Sequence, residues 1–191
     1  PRPLFIACAP RTRDVLVAWP QCCSDLLSSD LTWRANRSHA RAARDETGLI
    51  PPLQVIAHAN MVAWLSNFST SIPTLSGCRT LTTVYDIKAA SLQVIGVMTN
   101  TPAVDAYRGA GRPEANYLME RLMDHIAVET GHSRLDVRRV NMIRAAPMPY
   151  ERVSGGTIDS GDIPQLFEAA LKQADWDGVA SAREQYLSLI S

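Results

Sequence analysis

The chain is 191 residues long, 46% hydrophobic and 20% charged, enough for one sizeable core or two small ones in an ordinary globular protein. Nineteen Lys and Arg offset nineteen Asp and Glu, so no net field favours nucleic acid or an anionic membrane surface. No run of about 18 apolar residues is uninterrupted, and the apolar core of Pro1 to Ala9 is too short for a signal peptide, so a cytoplasmic location is expected.

Cys8, Cys22, Cys23 and Cys78 form no C-x-x-C pair and read as reduced structural thiols. Asn36-Arg37-Ser38 and Asn67-Phe68-Ser69 match glycosylation acceptors, but without a secretory signal they are expected to stay unmodified.

Residues from Pro1 to about Leu27 mix Pro, Arg and short apolar runs without a sustained period, and no element is assigned there. Arg37 to Arg44, the turn signal Asp45-Glu46-Thr47-Gly48 and Leu53 to Leu65 read as a hairpin. In its second limb Leu53, Val55, Ala57, Ala59, Met61, Ala63 and Leu65 share one face at period two, opposite Gln54, His58 and Asn60. Arg41 and Arg44 interrupt the first limb, which is therefore expected at a sheet edge. A further strand is predicted over Leu92 to Met98, ended by the loop signal Thr99-Asn100-Thr101-Pro102.

The period then becomes helical. Ala115, Leu118, Leu122, Met123 and Ile126 recur along a helix from Pro113 to about Thr130, with Pro113 in its first turn and Gly131 past its end. Ser133-Arg134-Leu135-Asp136 has capping-box form and opens a second helix to about Ile143, with Leu135, Val140 and Ile143 facing inward. Asp162 caps a third helix carrying Leu166, Phe167, Ala170, Leu171 and Ala174, and Val179 to Ile190 forms a fourth. Strands first and helices afterwards indicate an α+β fold without internal repeats.

The stretch from Asp105 to Ala115 joins the last strand and its loop to the first long helix. Gly109 and Gly111 admit backbone angles closed to other residues, and a helix start offers N–H groups and positive potential, so the turn suits an oxyanion. Arg108 and Arg112 add cations on either side, although a tight glycine turn with two solvated arginines accounts for the pattern equally well. Glu114, in the first helical turn, reads as a favourable charge on the helix dipole rather than as a general base. His39, His58, His125 and His132 lack metal-ligand spacing, and no metal coordination by side chains is expected.

Five segments occur in one order: Val84-Tyr85-Asp86-Ile87, Thr99-Asn100-Thr101, Ala106 through Ala115, Asp159-Ser160-Gly161-Asp162 and Ala174-Asp175-Trp176. Together they resemble the large, molybdopterin-binding subunit of the xanthine dehydrogenase, aldehyde oxidase and carbon monoxide dehydrogenase family. The resemblance runs from about Ser28 to Trp176, with Ser28-Ser29-Asp30, His39-Ala40, Asp45 to Gly48 and Ala63 to Phe68 also included. It implies that residues 28–191 form part of a molybdopterin-binding domain and that the chain is an internal piece of the subunit, lacking an initiator Met.

By this resemblance Arg108, Gly109, Ala110 and Gly111 face the cofactor, and Tyr107 and Arg108 line the substrate pocket. It implies molybdenum held by molybdopterin, the dinucleotide form included, and iron-sulfur clusters and FAD on partner subunits or domains in an oligomer. The expected activity is hydroxylation of an aldehyde or heterocycle with water as oxygen source, using a general base outside this chain. Gly109 stands where the carbon monoxide oxidising branch has cysteine. Ala110 stands where purine-oxidising relatives have an aromatic, which shifts the expectation from purines toward aldehyde-like substrates.

The chain departs from the pattern at Ala35, commonly acidic, at Lys88, usually proline, and at Arg41 and Arg44. The competing reading is a non-catalytic binding or scaffold module that keeps the family fold. A phosphate-binding domain unrelated to molybdenum rests on the glycine turn alone.

Overall fold

A computed structural model of the protein describes residues 15–20, 36–63, 65–101, 105–106, 108–146, 148–179, 181–183 and 186. Its frame is a four-stranded sheet ordered β1 (Val15–Pro20), β2 (Asn36–Ala42), β3 (Pro52–Val62) and β4 (Ala89–Met98). The first three strands are antiparallel neighbours, while β4 runs parallel to β3. The fold is α+β: α2 (Arg112–Thr130), α3 (Arg134–Asn141) and α4 (Ile163–Gln173) follow the sheet.

The expected hairpin forms because Asp45 organises its turn. Its Oδ1 accepts the Thr47 amide at 2.9 Å, the Thr47 hydroxyl at 2.7 Å and the Leu49 amide at 3.0 Å. Burial tends to raise the Asp45 carboxyl, but these donors outweigh it and hold it below the ordinary value. Leu53, Val55, Ala59 and Met61 are buried as the alternation predicts. The strand stops at Val62, however, so Ala63 and Leu65 leave the face and Leu65 stands exposed.

The first limb is not an edge. Strand β1 pairs along its whole length, from Val15 opposite Ala42 to Pro20 opposite Arg37, and lies in the stretch whose sequence shows no period. The arginines do not forbid an interior position, since Arg41 is exposed and Arg44 lies beyond the strand end. Arg44 is only 8% exposed, and its guanidinium donates to the Glu129 carbonyl at 3.5 Å. That carbonyl belongs to the last turn of α2, where a cation is favoured by the helix dipole.

Helix α2 lays Ala115, Leu118, Met119, Leu122, Met123, Ile126 and Ala127 against Ala40, Ala42, Leu53 and Val55, forming the core. Helix α3 starts as expected, with the Ser133 hydroxyl accepting the Asp136 amide at 3.0 Å. It ends at Asn141, short of Ile143, and turns Val137 inward while Val140 stays 39% exposed. The spacing explains this: Val137 and Asn141, four apart, share the buried stripe that Val140 falls beside. Asn141 accepts the Ile50 amide at 2.8 Å and donates to the carbonyls of Gly48 and Val137, each at 2.8 Å.

A short helical segment between β3 and β4 departs from the strands-then-helices reading: a π-helical turn, Ile72–Ser76, continues into α1 (Gly77–Thr80). A small ribbon of β5 (Tyr150–Glu151) and β6 (Thr157–Ile158) precedes α4. Asp162 caps α4 by accepting the Gln165 amide at 2.9 Å. Residues 179, 181–183 and 186 are helical, and the rest of the expected fourth helix lies outside the described residues.

Candidate functional site

Strands β3 and β4 are parallel and end together at Val62 and Met98. In open sheets the crevice beyond the carboxyl ends of parallel strands is where ligands gather, and the chain leaving β4 enters the glycine turn there. A polar triangle braces this edge: Asn60 donates to the Thr101 hydroxyl at 2.8 Å and accepts from the Thr99 hydroxyl at 2.7 Å. The two threonine hydroxyls are 2.8 Å apart. Asn60 Oδ1 also accepts the amide of Val62 at 2.9 Å. Val62 has a φ of 61°, a left-handed angle that a β-branched residue adopts only under compulsion, so backbone strain sits at this same edge.

Three successive residues then take left-handed angles: Gly109 at 95°, Ala110 at 31° and Gly111 at 90°. The Arg112 amide closes the turn on the Gly109 carbonyl at 3.0 Å, and the Ala115 amide donates to Gly111 at 3.2 Å as α2 begins. Arg108 is exposed, Gly109 and Ala110 are half-buried, and Gly111 is buried. Tyr107 lies outside the described residues, as do Ser28 to Ala35 and Trp64. Arg112 is exposed, and its guanidinium turns back on the Gly109 carbonyl at 3.4 Å.

Gly111 has a second duty that spacing does not reveal. A Cβ there would meet the Ile72 carbonyl oxygen at 2.5 Å and the Gly77 amide nitrogen at 2.8 Å. The π-helical turn and α1 thus buttress the start of α2 backbone against backbone, which only glycine permits at this angle. The sequence signal was the pair Gly77 and Gly111, distant along the chain and uninformative until brought together.

Glu114 points into the protein. Both its carboxylate oxygens are shut off from solvent, and it lines a cavity of about 10 Å³ with Asn36, Asn60 and Ser69. That is room for about one water molecule among polar partners. The carboxylate therefore faces the interior behind the loop rather than the loop's outer side.

Three further side-chain groups lie outside the glycine turn. The buried Tyr85 hydroxyl donates to Glu120 Oε1 at 2.6 Å, while Arg138 meets Glu120 at 2.7 Å and Asp124 at 3.0 Å. Asp86 accepts the hydroxyl of Tyr150 at 2.5 Å and pairs at 2.6 Å with Lys88, the residue at the position where proline was expected. His39 and His58 face each other edge to face at 6.1 Å across β2 and β3. Burial, followed by the charges of Arg37, His58 and Arg41, lowers the His39 pKa.

Among the described residues no group of three His, Cys, Asp or Glu side chains converges to hold a metal ion. The loop instead offers backbone close to its surface and an exposed guanidinium, groups that hold the anionic oxygens of an organic cofactor. A metal carried by its own organic ligand fits this donor set. The family model for the molybdopterin cofactor-binding domain matches residues 4–142, through β1, the sheet, the loop, α2 and α3.

The chain belongs to the molybdopterin cofactor-binding domain family.

Curated relatives of this family member include the carbon monoxide dehydrogenase large chain of Hydrogenophaga pseudoflava, 37% identical over 94 residues, which are 48% of this chain and 12% of that one. The 6-hydroxypseudooxynicotine dehydrogenase complex subunit gamma of Paenarthrobacter nicotinovorans is 33% identical over 99 residues, 48% of this chain and 12% of that one. The chain thus spans 12% of the length of each of these relatives. Among solved structures, quinoline 2-oxidoreductase from Pseudomonas putida 86 superposes with a TM-score of 0.73 at 22% identity, over 81% of this chain and 20% of that one. Aldehyde oxidoreductase from Desulfovibrio gigas gives 0.69 at 21% identity, over 79% of this chain and 16% of that one. Identities this low carry the fold alone. No described helix is long and apolar enough to cross a membrane.

Proposed function

We propose that this molybdopterin-binding family member contributes one wall of the cofactor site in a molybdenum hydroxylase large subunit, residues 28–191 forming part of its molybdopterin-binding domain together with β1, which the family match from residue 4 also spans. The observation that carries this reading is the family match through the strained turn at Gly109 to Gly111, set at the carboxyl edge of a parallel strand pair. When bound, the molybdenum cofactor supplies two-electron oxidation of a substrate carbon with oxygen taken from water.

In this reading Arg108 presents its cation to the cofactor's anionic oxygens, and Gly109 and Ala110 let the backbone approach closely. Gly111 fixes the turn on the Ile72 to Gly77 segment, and Tyr107 and Arg108 line the substrate pocket. The small Ala110 leaves space but no ring for stacking a flat heterocycle, which favours aldehyde-like substrates over purines. Gly109, in place of cysteine, disfavours carbon monoxide oxidation. The general base, the iron-sulfur clusters and the FAD come from other segments or partner subunits, so the chain alone is inactive, and the assembly is an oligomer in the cytoplasm.

The test is molybdenum and pterin content after co-expression with cofactor-maturation proteins, by elemental analysis and by fluorescence of the oxidised pterin. Content near one per chain, reduced by Arg108→Gln, is the expected result. A folded chain with neither metal nor pterin would mean a fragment or a scaffold that needs its missing segments.

A further inference from the structure

The chain leaves the sheet at Met98 and is regular again at Arg112, where α2 begins. Side chains from both ends of that excursion meet at one residue, Asn60, near the end of β3. The Thr99 hydroxyl donates to Asn60 Oδ1 at 2.7 Å, and Asn60 Nδ2 donates to the Thr101 hydroxyl at 2.8 Å. With the Thr99 proton so used, the 2.8 Å contact between the hydroxyls leaves Thr101 as donor to Thr99. The three side chains close a ring in which each donates to the next, an arrangement whose bonds reinforce one another. The ring also grips the backbone, since Asn60 Oδ1 accepts the Val62 amide at 2.9 Å and the Thr99 amide donates to the Val62 carbonyl at 3.2 Å. Both polar backbone groups of Val62 are thereby held at its left-handed angle of 61°.

The far end is fastened to the same place. Glu114, in the first turn of α2, lines the small polar cavity with Asn60, Asn36 and Ser69, and its carboxylate oxygens are shut off from solvent. Asn60 therefore stands between the segment that leads out of β4 and the helical turn that follows Gly111. The left-handed angles of Gly109, Ala110 and Gly111 set the shape of the turn, but its place over the sheet edge needs anchors outside it. The Ile72 to Gly77 segment is one such anchor, at Gly111.

We infer that Asn60 is the second: a positioning residue that sets where Arg108 to Gly111 lie, through Thr99 and Thr101 on one side and Glu114 across the cavity on the other. Its role toward the cofactor rests on the reading of that turn as a cofactor wall. An uncharged amide suits the position because it offers a donor and an acceptor at once. A carboxylate would lack the donor that Thr101 accepts and would place a second negative charge beside Glu114.

The test compares the full chain with Asn60→Ala, Thr99→Val and Thr99→Ser, reading trypsin cleavage after the exposed Arg108 and pterin content after co-expression with cofactor-maturation proteins. Each protein is digested at the same interval below its own melting temperature, so that differences in overall stability cancel. Asn60→Ala and Thr99→Val are expected to speed cleavage after Arg108 about tenfold relative to cleavage after Arg134 in α3, because local opening rises when a buried hydrogen bond is lost. Both are expected to hold less pterin. Thr99→Ser keeps the hydroxyl and is expected to match wild type in both readouts. If Asn60→Ala does not fold, the Thr99 pair makes the same comparison. Cleavage after Arg108 that rises no more than cleavage after Arg134, or Thr99→Ser behaving as Thr99→Val, would overturn the anchor. Unchanged pterin in variants that open at Arg108 would overturn the positioning role. A wild type without pterin, its variants still opening at Arg108, would keep the anchor and overturn the cofactor reading beneath it.

Discussion

Helices α2 and α4 both carry apolar residues at helical spacing and both begin on a defined cap, yet α2 buries seven residues and α4 buries none. Their starts differ in kind. The Asp162 side chain caps α4 from within its own sequence, whereas α2 begins at Gly111, whose left-handed angle is held by the Ile72 to Gly77 segment. One helix is positioned by tertiary contact and the other by local chemistry. Helical period shows which face could be buried, and a facing element decides whether it is. The candidate site sits at the start of the helix that tertiary contact positions, so its geometry depends on residues far away in sequence.

The largest expected effect comes from breaking that start. Gly111→Val would combine a φ of 90° with a Cβ at 2.5 Å from the Ile72 carbonyl oxygen. We expect a loss of about 3 to 5 kcal/mol in denaturant unfolding, from backbone strain plus a clash that no rotamer relieves. Gly131→Ala at the other end of α2 separates the two causes, because Gly131 also has a positive φ, of 72°, but nothing within 4 Å of an added Cβ. Its expected cost is about 1 kcal/mol, the conformational part alone. Equal losses at the two ends would mean that the buttress contributes nothing.

A middle-sized effect is expected at Tyr85, which is buried in the core and bonded to Glu120. Burial, followed by the hydrogen bond and charge of Glu120, holds its hydroxyl far above the ordinary range. A folded pKa raised above the unfolded one gives stability that is complete below the unfolded value of about 10 and lost as pH climbs beyond it. Tyr85→Phe is therefore expected to cost about 1 to 2 kcal/mol at neutral pH, through the donor removed from Glu120. Its stability should then fall less steeply than wild type above pH of about 10. A residual slope remains from Tyr150, whose hydroxyl burial and Asp86 together push up to about 12. Parallel alkaline slopes for the two proteins would sink this account.

The elements legible in the sequence were those whose signals are local. Gly131 past the end of α2, the Ser133 and Asp162 caps, the Asp45 turn and the alternation of Leu53, Val55 and Met61 each act within a few residues. Strand β1 was not legible because its six residues gain their order from pairing with β2. The short helical segment at Ile72 gave no sequence signal for a related reason, since its value lies in close backbone contact with Gly111. Arg44 read as an intrusion because its partner, the Glu129 carbonyl, is 85 residues away. At the candidate site the turn residues were legible as a turn, but the inward course of Glu114 toward Asn36 and Asn60 depends on the sheet behind it.

The smallest expected effect tests the other half of the comparison. Leu166 is 71% exposed on α4, so Leu166→Gln removes little buried area and should change stability by less than about 0.5 kcal/mol. Phe167, its neighbour in sequence, packs partly against the core, and Phe167→Ala should cost about 1 to 2 kcal/mol, less than a fully buried aromatic would. The contrast between adjacent residues measures how far the core reaches into α4. If Leu166→Gln lowered the melting temperature as much as Phe167→Ala, some contact would have to cover the outer stripe of α4. Dependence of that loss on protein concentration would separate a partner from the chain itself, because only an intermolecular contact weakens on dilution.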